Sequence, residues 1–109
     1  MAALPTAVMP LTGGAIEFTP AAGGGDTCQT GAGVLLLVKN GDASSHTVTL
    51  VTPGTVNGLA IADRAIVVAA GAELGIPVTH DYRNSSTGRA SITYDGVTSV
   101  EVAVIRVPV

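Results

Sequence analysis

The chain reads as all-β. It is expected to form a single-domain antiparallel β-sandwich, immunoglobulin-like or jelly-roll-like, with about eight short strands and an extended N-terminal arm. Three observations predict this. Turn signals built on Gly, Pro, Asn and Asp punctuate the chain roughly every ten residues. Between them lie short runs of Val, Ile, Leu and Thr, several with period-two alternation. No window combines a helical period with caps and sufficient length, and only residues 59–70 leave room for a short helical turn. No internal repeat at a fixed period is present.

Residues 1–13 read as the arm, ahead of a domain spanning 14–109. Pro5 and Pro10 lack an N–H and fix their own φ, so they resist both helix and central strand. Yet Leu4, Val8, Met9 and Leu11 are apolar, where a solvated tail would be polar. Leu4, Pro5, Val8, Met9, Pro10 and Leu11 are therefore the candidate interaction residues. The arm lies either along another protein or along its own domain. It contains no Lys or Arg and its apolar run is interrupted, which does not predict a secretory signal. No stretch approaches the ~20 apolar residues of a membrane span. Synthesis in a cytoplasm is expected.

The strands follow in order. Residues 15–19 (AIEFT) alternate and stop at Pro20; 23–25 are a glycine turn; 26–30 (DTCQT) form a second strand or an edge. Residues 34–39 (VLLLVK) are a continuous apolar run, which predicts burial on both faces. Asn40-Gly41-Asp42 turns the chain into 46–52 (HTVTLVT), where Val48 and Leu50 oppose Thr47, Thr49 and Val51. Residues 56–63 hold a loop turned at Asn57-Gly58, and 65–69 (AIVVA) are a strand. Residues 73–78 (ELGIPV) suit an edge because of Pro77, and 81–88 are a polar loop. Residues 90–94 (ASITY), a turn at Asp95-Gly96 and a long final strand over 99–107 complete the chain. In that last strand Val100, Val102, Val104 and the stem of Arg106 share a face.

Composition narrows the function. At 109 residues the chain is one domain's length and can bury a core without disulfide staples. Charged residues are only 12% while hydrophobic residues are 47%, so part of the surface is expected to be covered in the working state. With no Trp, one Phe and two Tyr, the chain lacks the stacking platforms of sugar-binding modules and single-strand binders. Net charge is −3 and Lys39, Arg64, Arg83, Arg89 and Arg106 are scattered in sequence, which argues against nucleic acid as a partner.

Chemistry is sparse. Cys28, the sole cysteine, reads as a small buried strand residue, with a reactive thiol as the alternative. Cys28, His46, His80 and Asp81 carry the groups of a nucleophilic site, but neither spacing nor flanking residues join them. His46 reads as hydrogen-bonded or exposed, and His80-Asp81 as turn chemistry. Asp26, Asp42, Asp63, Asp81 and Asp95 fall at turns, where Asp bonds backbone N–H groups. No loop has the dense acidic spacing of a calcium site, and the glycines lack the strand-to-helix context that cradles phosphate. Asn84-Ser85-Ser86 fits a glycosylation acceptor but lacks a secretory context. The expectation is a non-enzyme with no catalytic residues, metal or cofactor.

One resemblance goes further. Gly25-Asp26-Thr27, Asn40-Gly41, Thr47-Val48-Thr49, Thr52-Pro53, Ala62-Asp63-Arg64, Ala70-Gly71 and the ending ASITYDGVTSVEVAVIRV occur in that order over residues 24–107. The series resembles small proteins encoded beside the major capsid gene in tailed phages of actinobacteria. The resemblance implies a capsid decoration or minor head protein that sits on the outer surface of the virion and reinforces the shell. Its implied partners are the major capsid protein and itself, as a homotrimer, with no membrane or nucleic acid. Rival readings are a tail or baseplate module, an immunoglobulin-like adhesion or carbohydrate module and, more distantly, a hydrolase.

Overall fold

A computed structural model describes residues 2–107. These contain thirteen strands, one 3-10 turn at His80–Tyr82 and no α-helix. One sheet runs β1 (Ala2–Ala3), β4 (Asp26–Cys28), β12 (Arg89–Tyr94), β6 (His46–Leu50) and β9 (Arg64–Val68), with β11 (Arg83–Asn84) also paired to β12. The other runs β10 (Glu73–Pro77), β5 (Val34–Asn40), β13 (Val100–Arg106) and β2 (Thr6–Val8), with β3 (Thr19–Pro20) also on β13. β7 (Thr55–Val56) and β8 (Leu59–Ala60) form a separate hairpin. The two sheets share one core in a sandwich-like arrangement. No helix among the described residues is long and apolar enough to cross a membrane.

The period-two pattern sets the faces. Val48 and Leu50 of β6 are fully buried, while Thr47 and Thr49 face outward. Leu36 and Val38 of β5, Ile92 of β12 and Val102 of β13 meet them in the core. Burial of this aliphatic surface is the main stabilising term, since aromatic side chains are few.

Three expectations are corrected. The run in β5 is not buried on both faces: Val34, Leu36 and Val38 are buried, but Leu35 and Leu37 are only half-buried. The strand covered on both sides is β13, whose Ala103 and Ile105 are buried opposite Val102 and Val104. These two side chains line a cleft with Pro5, Ala7 and Ile16, because the chain entering β3 passes over that face. For the same reason residues 15–18 form no strand. β2 pairs with residues 104–106 of β13 and β3 with 101–102 on the same edge, so only Thr19–Pro20 finds a free ladder. Finally, the sheets are mixed rather than antiparallel, because β1 joins β4 and β2 joins β13 in parallel.

The parallel pairs have one cause. Residues 2–8 run up the side of the molecule as a strap, giving β1 to one sheet and β2 to the other. Leu4 sits between them, 6% exposed and part of the core. Its N–H donates to the Thr27 carbonyl at 2.8 Å. Arg89 fastens the same point, donating to the Leu4 carbonyl at 2.9 Å, the Thr27 carbonyl at 3.2 Å and Thr27 Oγ1 at 3.1 Å. Thr6 Oγ1 is buried with no hydrogen-bond partner among the described residues.

Two buried polar residues tie the ends of strands together. The Asn40 side-chain amide donates to the carbonyls of Ser44 at 2.9 Å, Val68 at 3.0 Å and, more weakly, Ala69 at 3.3 Å. Its Oδ1 accepts the Asp42 N–H at 3.0 Å. Asn40 lies in one sheet and Val68 in the other, so this side chain crosses between them. Asp26 accepts the Tyr94 hydroxyl at 2.6 Å and the Ala22 N–H at 3.2 Å. Burial, followed by the adjacent Asp26, pushes the Tyr94 phenol well above its ordinary range, so it stays protonated and donates.

Candidate interaction surface

A chain with few charges leaves few ways to hold a partner, so the exposed aliphatic side chains carry the most information. The strap divides the six residues singled out in its sequence. Leu4 belongs to the core, Pro5 and Pro10 are exposed, and Met9 is half-buried. Val8 is 69% exposed and Leu11, at the turn after β2, is 92% exposed.

The β7–β8 hairpin contributes more. Asn57 (φ +52°) and Gly58 (φ +77°) both take left-handed backbone, the two-residue turn that matches the twist of paired strands. Glycine accepts that conformation without strain. The Thr52 N–H donates to Asp63 Oδ1 at 2.8 Å and so closes the base of the excursion. The hairpin presents Leu59, 72% exposed, with Ile61 just beyond it. The Asn57-Gly58 signal marked a turn, but no sequence feature showed that its flanking aliphatics would lack cover.

Register places both groups at one end of the molecule. β13 ends at Arg106, opposite Val8 on one side and Val34 on the other. Just before Val34, Gly31 packs against the His80 ring. Asp81 and Tyr82 then share a depression with Ile61, Asp63 and Arg64. Val8, Leu11, Leu59 and Ile61 therefore all sit at the end where β2, β6 and β13 finish. Val67 on the outer edge strand β9 and Ile16 on the covered face of β13 are exposed elsewhere.

The polar candidates are kept apart. His80 is at this end, with Nδ1 3.0 Å from Thr30 Oγ1, while Asp81 accepts the Thr79 hydroxyl within the 3-10 turn. His46 is at the other end, beside Gly96. Cys28 lies in the core, where burial pushes its thiol up to about 11, so it stays protonated and shielded. Cys28, His46, His80 and Asp81 do not converge. Among the described residues no group of three His, Cys, Asp or Glu side chains is arranged to hold a metal ion. No family model, curated protein or solved structure matches the chain.

His46 makes the most organised charged contact. Its Nε2 lies 2.8 Å from Asp42 Oδ2 and its Nδ1 3.2 Å from Asp95 Oδ1. Two ionised carboxylates, one at each ring nitrogen, favour the doubly protonated imidazolium. The Asp42 hydrogen bond raises the His46 pKa most, while Asp42 and Asp95 are held below the usual carboxylate range. A raised His pKa stabilises the fold fully below the unfolded value of about 6.5, and that stabilisation is lost as pH rises through the folded value. The lowered Asp values stabilise it above about pH 4, and that is lost as pH falls through their folded values. Thermal midpoints should therefore fall on going from about pH 6 to about pH 9 in the wild-type chain and fall less in His46→Gln. Equal losses in the two proteins would show that the clamp adds nothing in solution.

Proposed function

We propose that this chain is a structural virion protein that decorates the outside of a tailed-phage head and stabilises the shell. In this reading it is a β-sandwich of immunoglobulin-like or jelly-roll-like type, made in the host cytoplasm, and it binds the major capsid protein as a homotrimer. The observation that carries the proposal is the exposure of Val8, Leu11, Leu59 and Ile61 at the same end of a domain poor in charge. Large aliphatic groups left in solvent gain free energy when covered. Contacts of this kind, individually weak, become strong in sum when repeated over a symmetric shell. The order of turn and strand motifs over residues 24–107 supports the same reading.

The test uses heads assembled, without this chain, from the major capsid protein of the phage that this reading requires. Purified protein added to them should co-sediment in a saturable ratio and raise the temperature at which the heads rupture. A chain that neither sediments with heads nor changes their rupture temperature is not a decoration protein. The projecting hairpin favours a second reading, a tail, baseplate or adhesion-type binding module. That reading requires binding to host cells, abolished by removing residues 55–60, with no binding to heads.

A further inference from the structure

The basic residues look scattered in sequence, but the fold sorts the charges by end. Arg64 begins β9 beside the hairpin and Arg83 follows the 3-10 turn. Arg89 begins β12, and Arg106 ends β13 opposite Val8. Among the described residues, four of the five basic residues thus lie at the end that carries the exposed aliphatics, with Asp63 and Asp81 beside them and Glu17 close by in the cleft lined by Ala7 and Ile105. At the other end Glu73 and Glu101 both flank Lys39, and Asp42 and Asp95 flank His46. One end is net positive and the other net negative, in a chain whose overall charge is −3.

The positive charge is also available. Arg89 is committed to the carbonyls of Leu4 and Thr27. Arg64, Arg83 and Arg106 are exposed, and among the described residues none forms an ion pair. The two aspartates at this end are engaged locally, Asp63 by the Thr52 N–H and Asp81 by the Thr79 hydroxyl.

We propose that this end is the docking face, and that its partner is a protein surface bearing carboxylates around an aliphatic patch. Under the decoration reading, on which this inference rests, that surface is the outer face of the capsid protein. Three free arginines share this end with two exposed aliphatic pairs, Val8 with Leu11 beside the β2 edge and Leu59 with Ile61 at the β7–β8 hairpin, and so combine the polar and apolar contacts that a protein interface uses. Complementary charge speeds encounter and fixes orientation, while the aliphatic pairs supply the burial. Nucleic acid fits less well, because it would leave the aliphatic side chains uncovered and Tyr82, the aromatic residue at this end, is buried. A second copy docking by its acidic end would match the arginines only, since the large exposed aliphatics lie at this end, on β9 or near β3.

The experiment is co-sedimentation with undecorated heads at rising NaCl. It compares the wild-type chain, the triple variant Arg64→Glu, Arg83→Glu, Arg106→Glu, and an opposite-end control, Glu73→Lys with Glu101→Lys. Thermal melts near wild type establish that both variants fold, as expected for exposed side chains. The triple variant should bind about tenfold more weakly or worse. The control should match the wild-type chain, and wild-type binding should weaken with salt. If the triple variant binds heads as well as wild type, the docking face lies elsewhere and the decoration reading survives. If the wild-type chain itself does not bind, the decoration reading fails and this inference falls with it. If the wild-type chain shifts duplex DNA on a gel and the triple variant does not, the partner is nucleic acid and the proposal is overturned.

Discussion

Leu4→Ala is expected to lower the free energy of unfolding by about 3 kcal/mol, from lost burial plus the cavity left behind. The figure sits toward the lower end for a buried leucine, because the site lies at the sheet edges and can partly collapse. Urea denaturation of Leu4→Ala beside Val8→Ala measures it, since Val8 lies in the same strap but is 69% exposed. Equal midpoints for the two variants would mean that the strap is not docked in solution. Removing residues 1–13 should cost more than Leu4→Ala, because it strips β1 and β2 from the two sheets and leaves the outer edge of β4 and residues 104–106 of β13 without partners on that side. A truncated protein that fails to bind heads is therefore informative only beside its own melt. Val8→Ser with Leu11→Ser separates docking from folding more cleanly.

Asn40→Ala is expected to cost about 3 kcal/mol, because it strands the Val68 carbonyl in a buried site and frees the Ser44 carbonyl and the Asp42 N–H from their shared partner. The damage should be local as well as global. Amide exchange should quicken at residues 41–46 and 68–72, the two turns that the Asn40 side chain holds. Asn40→Asp should not rescue the protein, since a carboxylate cannot donate to the Val68 carbonyl and would add a buried charge. A urea midpoint for Asn40→Ala within error of wild type would show that solvent replaces these bonds at little cost.

The strands that a reader could find in the sequence were those with a local cause. β6 announces itself by β-branched residues at period two between two turns, and β10 is placed at an edge by Pro77. What escaped notice has a non-local cause. β1 and β2 carry the proline-punctuated composition of an arm, and they are strands because β4 and β13 offer open edges in parallel. Residues 15–18 have the alternation of a strand, yet the edge they would use is already occupied. The apolar run of β5 is no guide to which strand is doubly covered, because that depends on where a distant segment crosses. The candidate surface was half visible: Val8 and Leu11 stand out in an apolar arm, while Leu59 looks like an ordinary core residue. The segregation of charge was hidden altogether, since Arg64, Arg83 and Arg106 become neighbours of the same end only through strand register.

The strap also sets an order of events during synthesis. Residues 6–8 leave the ribosome well before their ladder partners, residues 104–106. Leu4 and the Arg89 side chain that holds its carbonyl are 85 positions apart. Closing a loop of that length carries an entropic cost that local pairing does not offset, and chains rich in such contacts fold slowly. The strap is therefore translated long before it is secured, and until β13 emerges β2 has no ladder to join.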